Sequence, residues 1–224
     1  MRSSGSLTEP TKPLERLAGY HHGDLRAALL EAVAAAIRER GVGRVSLREA
    51  ARRAGVSHGA PAHHFRSKAG LLTAFATQGY RRLADTILAS ITEAKPADGP
   101  AVLEAIGRGY VRFALANPEQ FEIMFRLDLL EVGEADFVAA SEAAYGLLVS
   151  TIVRCGEEGW LGAAEPEVVA VAAWSLVHGL SALWISGRLT ERILESDPGR
   201  LAAKVSRLFV SSVVRGRRAE PLLP

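Results

Sequence analysis

Apolar positions recur with a helical period along nearly all of the 224-residue chain, and no alternating run is long enough to suggest a strand. Leu25, Ala28, Leu29, Ala32, Val33, Ala36 and Ile37 share one side of a helix expected over 24–40, which Gly41 ends. A shorter helix should follow. Ser46 and Glu49 have the spacing of a capping box, Ala50, Ala51 and Ala54 form a small apolar face, and Gly55 suits the left-handed turn that stops helices. Val56 is an apolar plug, and Ser57 is expected to cap a second short helix that Phe65 anchors in the core. Ser67 then caps a long helix expected over 68–94, with Leu71, Leu72, Phe75, Leu83, Ile87 and Ile91 turned inward.

The segment 95–100 (KPADGP) breaks that helix. Downstream, a polar cap followed by proline recurs: Asp98 with Pro100, Asn117 with Pro118, Asp197 with Pro198, and Pro166 opening a further helix. Helices are therefore expected near 100–116, 118–126, 134–158, 166–187 and 198–215. The fold class is all-α. A flexible arm is expected over 1–19, a three-helix unit over 20–66, a larger helical unit over 67–216 and a flexible tail over 217–224. Composition agrees: hydrophobic residues make up 48%, enough for a sizeable core, while aromatics are only 6% and alanine is abundant.

Two short helices joined by a glycine turn have the layout of a helix-turn-helix, whose second helix enters the major groove of duplex DNA. Charge supports that partner. Residues 20–68 hold nine Lys or Arg against four Asp or Glu, whereas the whole chain is only +2. A basic module on a near-neutral chain suits phosphate binding. Five of the six histidines also fall there (His21, His22, His58, His63 and His64). His58, Gly59 and Ala60, just after Ser57, are expected in the exposed first turn of the reading helix. There His58 can donate to guanine or phosphate, and Ala60 can touch a thymine methyl. Arg48 is a further base reader, preferring guanine. Ser46, His63, His64 and Lys68 are candidates for phosphate, along with the free N–H groups that open the 68–94 helix, and the capping Ser57 belongs to the same DNA-binding set. For His64, beside Phe65, a packing role competes.

The remaining helices suggest a sensor and a pairing surface. Phe113, Phe121, Met124, Phe125, Phe137, Tyr145, Trp160, Trp174 and His178 offer an apolar lining with few polar handles, as small-molecule pockets need, with His178 the leading polar contact. An apolar or amphipathic effector follows. On the helix from Pro166, the small residues Ser175, Gly179, Ala182 and Ser186 form one stripe, Trp174, Val177 and Trp184 a second, and Leu176, Leu180 and Leu183 a third. Its own unit can cover two of them; a twin copy is expected to cover the small stripe, giving a symmetric homodimer. Residues 168–187 carry no charge and approach bilayer length, yet Ser175, His178, Ser181 and Ser186 interrupt them, so a buried protein helix is the better reading. The lone Cys155 excludes an intrachain disulfide, reads as a core residue, and suits a reducing cytoplasm. No metal spacing, phosphate loop or nucleophile elbow appears, so no metal, cofactor or catalytic residue is expected. The competing reading is a helical enzyme or adaptor that does not bind DNA.

Four segments carry a specific resemblance: YHHGDLRAALLEAVA (20–34), GVGRVSLREAARRAGVS (41–57), HHF (63–65) and SKAGLL (67–72). In order and spacing they resemble the TetR/AcrR family of bacterial transcriptional regulators. AAWSLVHGLSALWISG (172–187) resembles the Trp-His-Gly signature in the C-terminal domain of one branch of that family. The resemblance implies a palindromic operator bound by a dimer, a four-helix bundle formed by the last two helices across a two-fold axis, repression relieved by a ligand, and a DNA contact from Tyr20. Pro61 and Ala62 depart from it, standing where the family commonly has Leu-Tyr. The tyrosine ordinarily meets phosphate, so Ala62 removes one contact, and Pro61 predicts a short or distorted reading helix.

Overall fold

The computed structural model describes residues 22–189 and 195–215. Tyr20, the 1–19 arm and the 217–224 tail lie outside the described residues. Those described are helical, with nine α-helices: α1 (His22–Arg40), α2 (Leu47–Ala54), α3 (Ala60–Phe65), α4 (Lys68–Ala94), α5 (Gly99–Ala116), α6 (Pro118–Met124), α7 (Ala135–Glu157), α8 (Pro166–Ile185) and α9 (Pro198–Arg215).

Local chemistry sets most of the ends. Ser46 Oγ accepts the Glu49 N–H at 3.1 Å to open α2, and Gly55, with φ 69°, closes it. Ser67 Oγ accepts the Gly70 N–H at 2.8 Å to open α4. Asp98 Oδ1 accepts the Ala101 N–H at 2.8 Å to open α5. The three-helix head closes over Leu29, Leu30, Val33, Ile37, Val45, Ala50 and Phe65, all buried. The Arg26 guanidinium stands 5.7 Å from the centre of the Phe65 ring, adding a cation–π contact between α1 and α3.

The second unit is built around α5, which packs on α4, α7, α8 and α9. Helix α4 belongs to both units: its first turns touch α3 and α1, and the rest packs on α5, α6 and α7. Cys155 is buried, and burial raises its thiol pKa. Helices α7 and α8 are long and apolar enough to cross a membrane by length and composition alone. Both pack into the helical unit, α7 on α4 and α5 and α8 on α5.

Candidate nucleic-acid interface and inner cavity

The helix-turn-helix forms, with one change in its second member. Ser57 does not cap α3. The cap position belongs to Gly59, without a side-chain bond, and α3 runs only from Ala60 to Phe65. Pro61 explains the shift. A helix starting after Ser57 would require an N–H from Pro61, whereas a start at Ala60 puts proline in the first turn, where no helical partner is lost. His58 and Gly59 therefore belong to an exposed turn, and α3 is one and a half turns of helix with Pro61 and Phe65 turned to the core. Ala62 and His63 are exposed and His64 half-buried, its ring 5.9 Å from that of Phe65.

The joint from α3 to α4 is unusually tight. Arg66 has φ 57° and ψ −44°, and the Ser67 N–H donates to the Phe65 carbonyl two residues back at 2.5 Å, a strained three-residue turn. Only Arg66 and Ser67 separate the short helix from the long one.

On α2 the arginines divide by partner. Arg52 donates twice to Glu49, at 2.9 and 2.7 Å, and Arg53 bridges Glu49 at 2.7 Å and Glu39 of α1 at 2.9 and 2.6 Å. Hydrogen bonds from Arg52, then Arg53, hold the Glu49 carboxyl far below its usual range, at about 2. Of these contacts, only the Arg53–Glu39 pair holds α2 on α1; the others lie within α2. Arg48 is exposed on the same helix, beside exposed Ser46. Lys68 Nζ donates to the carbonyls of Val42 (3.1 Å) and Gly43 (3.5 Å), so this exposed amine also ties the α1–α2 connection to α4.

The second site is an apolar cavity of about 240 Å³, partly open to solvent and lined by α4, α5, α7, α8 and α9 and by Phe125 after α6. Of the residues expected to line it, Phe125, Tyr145 and Trp174 do. Phe113, Phe121, Met124 and Phe137 do not: all four are buried in the surrounding core, Met124 and Phe113 almost completely. They point at neighbouring helices because α5, α6 and α7 are covered on more than one side. Trp160 instead donates its indole N–H to Glu158 at 3.0 Å, away from the cavity. His178 also stands behind the wall. Its Nδ1 is 2.9 Å from the Tyr110 hydroxyl, which also accepts from the Trp174 indole at 3.3 Å. The rings of Phe121 and Phe125 lie 5.0 and 4.6 Å from the imidazole. Burial lowers the His178 pKa and raises that of Tyr110, favouring the uncharged form of each.

Sequence reasoning missed Tyr110 and Ser206, both of which line the cavity. For Ser206 a signal exists. Ala202, Ser206 and Val210 are spaced by one helical turn and all are buried, so the serine interrupts an inward stripe. On α8 the buried side is Val169, Ala170, Ala173, Val177 and Ser181. Ser175, Ala182 and Ser186 are exposed and Gly179 half-exposed, flanked by exposed Val168, Val171 and Leu183. On α9, Leu208 is 71% exposed.

Two family models match this chain. Residues 29–75 match the model for bacterial regulatory proteins of the tetR family, and residues 103–209 match that for a tetracyclin repressor-like C-terminal domain. The chain belongs to the TetR family. Among curated relatives, the HTH-type transcriptional regulator BetI of Yersinia pestis is 38% identical over 84 residues, which is 38% of this chain and 42% of that protein. The chain thus matches less than half the length of that relative. Among solved structures, a protein of unknown function from Rhodococcus sp. RHA1 is 30% identical, with a TM-score of 0.74 over 88% of this chain and 99% of its own. The TetR family regulator PfmR of Thermus thermophilus (20% identical, TM-score 0.64, 85% and 99% covered) shares the fold. So does the fatty acid degradation regulator FadR of Bacillus halodurans (17%, 0.69, 85% and 97%).

Proposed function

We propose that this TetR-family chain is a cytoplasmic, ligand-responsive repressor that binds a palindromic operator as a homodimer. The observation that carries the reading is the pairing of a capped helix-turn-helix with an apolar cavity, joined by one continuous helix, α4. Residues 20–66 act as the reading head and 67–216 as the sensing and pairing unit. His58, Gly59, Ala60 and Arg48 face base edges; Ser46, Ser57, His63, His64 and Lys68 face phosphates, with Tyr20 added by analogy to the family. The small stripe Ser175, Gly179, Ala182 and Ser186, with the apolar residues beside it, is the α8 side of the dimer interface, and Leu208 extends it onto α9. A face this apolar favours burial against a second copy. An apolar effector in the cavity alters the spacing of the two heads, and a coupling of about 1–3 kcal/mol gives useful control.

The path from cavity to head is short. Phe125, on the cavity wall, directly follows α6, and Glu119 in the first turn of α6 accepts a hydrogen bond from Arg38 of α1 at 2.6 Å. The test is selection of bound duplexes from a random pool, followed by titration at two salt concentrations. A two-fold symmetric motif whose binding weakens steeply with salt is expected. Indifference to every duplex would favour the helical adaptor or enzyme instead.

A further inference from the structure

Ser206 lies in the cavity wall, is 4% exposed, and its Oγ has no hydrogen-bond partner among the described residues. A buried hydroxyl without a partner is unfavourable, and such groups are rare unless something else satisfies them. Space for it exists because residue 107 is glycine: a Cβ there would sit 2.4 Å from Ser206 Oγ. Apart from Ser141 and Glu142, the rest of the lining is aliphatic and aromatic, with Tyr80, Tyr110, Phe125, Tyr145 and Trp174 supplying rings. Most of the polar atoms nearby are already engaged. The Tyr80 hydroxyl donates to the Met124 carbonyl at 3.2 Å, Ser141 bonds the Val138 carbonyl at 2.9 Å, and Tyr110 is held by His178 and Trp174. Among the described residues one acidic side chain lines the cavity, Glu142, which is exposed; no Lys or Arg lines it.

We propose that the cavity takes a compact apolar ring molecule bearing one uncharged hydrogen-bonding group that seats on Ser206, and that it rejects anions. This deepens the effector reading above and rests on it. A carboxylate or phosphate brought inside would lose its hydration with no cation to meet it, and would pass Glu142 on the way in. An uncharged hydroxyl or carbonyl instead satisfies the orphan group once the Ser206 hydroxyl turns from Gly107 toward the cavity. The volume, about 240 Å³, falls just below the usual range for small-molecule sites, which limits the body to one or two rings.

A matched series tests this on the free full-length protein: naphthalene, 2-naphthol and 2-naphthoate, with binding followed by quenching of tryptophan fluorescence, since Trp174 lines the cavity. 2-Naphthol should bind about fivefold to tenfold tighter than naphthalene, and 2-naphthoate at least about tenfold weaker than 2-naphthol. Ser206→Ala should erase the advantage of 2-naphthol over naphthalene while leaving the melting temperature of the free protein unchanged or higher, because it removes an unsatisfied hydroxyl. Glu142→Gln should narrow the penalty on 2-naphthoate. The proposal is overturned if none of the three binds, if 2-naphthoate binds best, if Ser206→Ala keeps the preference, or if that variant melts lower when free. Binding in the expected order that leaves DNA affinity untouched upholds the ligand class and sinks the effector reading.

Discussion

Gly70→Ala separates the tertiary argument from helix propensity, because the two predict opposite signs. Gly70 lies in the first turn of α4, where its N–H is bonded to Ser67 Oγ. A Cβ at this position would fall 2.2 Å from the Phe65 carbonyl oxygen and 3.3 Å from the carbonyl carbon. A comfortable carbon–oxygen approach is about 3.3 Å, so the overlap is roughly 1 Å against backbone, not against a side chain that can swing away. Propensity alone would make alanine more stable by about 1 kcal/mol. Against that stand about 1–3 kcal/mol for forcing the two helices apart and about 1 kcal/mol if the Ser67 cap is lost. The net expectation is a loss of about 1–3 kcal/mol, localised to the head, with weaker operator binding because α3 is displaced. Urea unfolding read by circular dichroism and by tryptophan fluorescence resolves the location: Trp160, Trp174 and Trp184 all lie in the second unit, so the variant should lose helix before the fluorescence changes. Gly146→Ala in α7 is the control. Its added Cβ meets nothing within 4 Å, and it should stabilise by about 1 kcal/mol. A Gly70→Ala protein as stable as Gly146→Ala, with full operator affinity, would refute the close approach of α3 to α4.

Arg48→Ala should relax preference at one base-pair position by about 1–3 kcal/mol, whereas Lys68→Ala should weaken all duplexes alike; affinities over a panel of operator variants distinguish them. Burial lowers the His178 pKa, so the unfolded chain takes up a proton at this site more readily than the folded one. Stability should therefore fall as pH drops below about 6.5, and His178→Gln should flatten that slope in melts run between about pH 7.5 and 5.5, whatever it does to the melting temperature at neutral pH. Leu183→Glu should yield monomers in sedimentation and weak operator binding; a persisting dimer would move the interface to another face. Glu119→Gln, which weakens the tie to Arg38, should leave operator affinity within about twofold while reducing effector-driven release, measured by titrating effector into the preformed complex.

Helix limits were legible wherever the chemistry that sets them is local. Ser46, Gly55, Ser67 and Asp98 each act on backbone within three or four residues, and α4 ends where 95–100 breaks the pattern, with Lys95 itself adopting φ 45°. Helix α3 is the exception, because two local signals compete there. Ser57 is a good cap, but Pro61 lacks the N–H that a cap at 57 requires, and the proline prevails. A capping box gives the Glu49 side chain to the backbone N–H of Ser46. The side chain turns to Arg52 and Arg53 instead, and the partner that fixes Arg53, Glu39, comes from another helix. No spacing rule contains that contact.

The cavity was legible in kind but not in membership, for a related reason. Periodicity separates inward from outward residues, yet α5 has neighbours on most of its circumference, so inward is not one direction. Tyr110 and Phe113, one turn apart, part company on this ground: the first lines the cavity and the second fills core. The same logic makes α6 mechanically important. Its seven residues span about 10 Å of rigid helix. At one end Phe125 contributes to the cavity wall and packs on His178; at the other Glu119, nearly buried, holds Arg38 of α1. Gln120 between them donates to the Phe75 carbonyl of α4 and accepts from Arg82 on the same helix, so α6 is fastened to both the head and the long connecting helix. Packed interiors transmit displacement and do not absorb it, so a ring that moves Phe125 must either shift α6 as a body or break one of these polar ties.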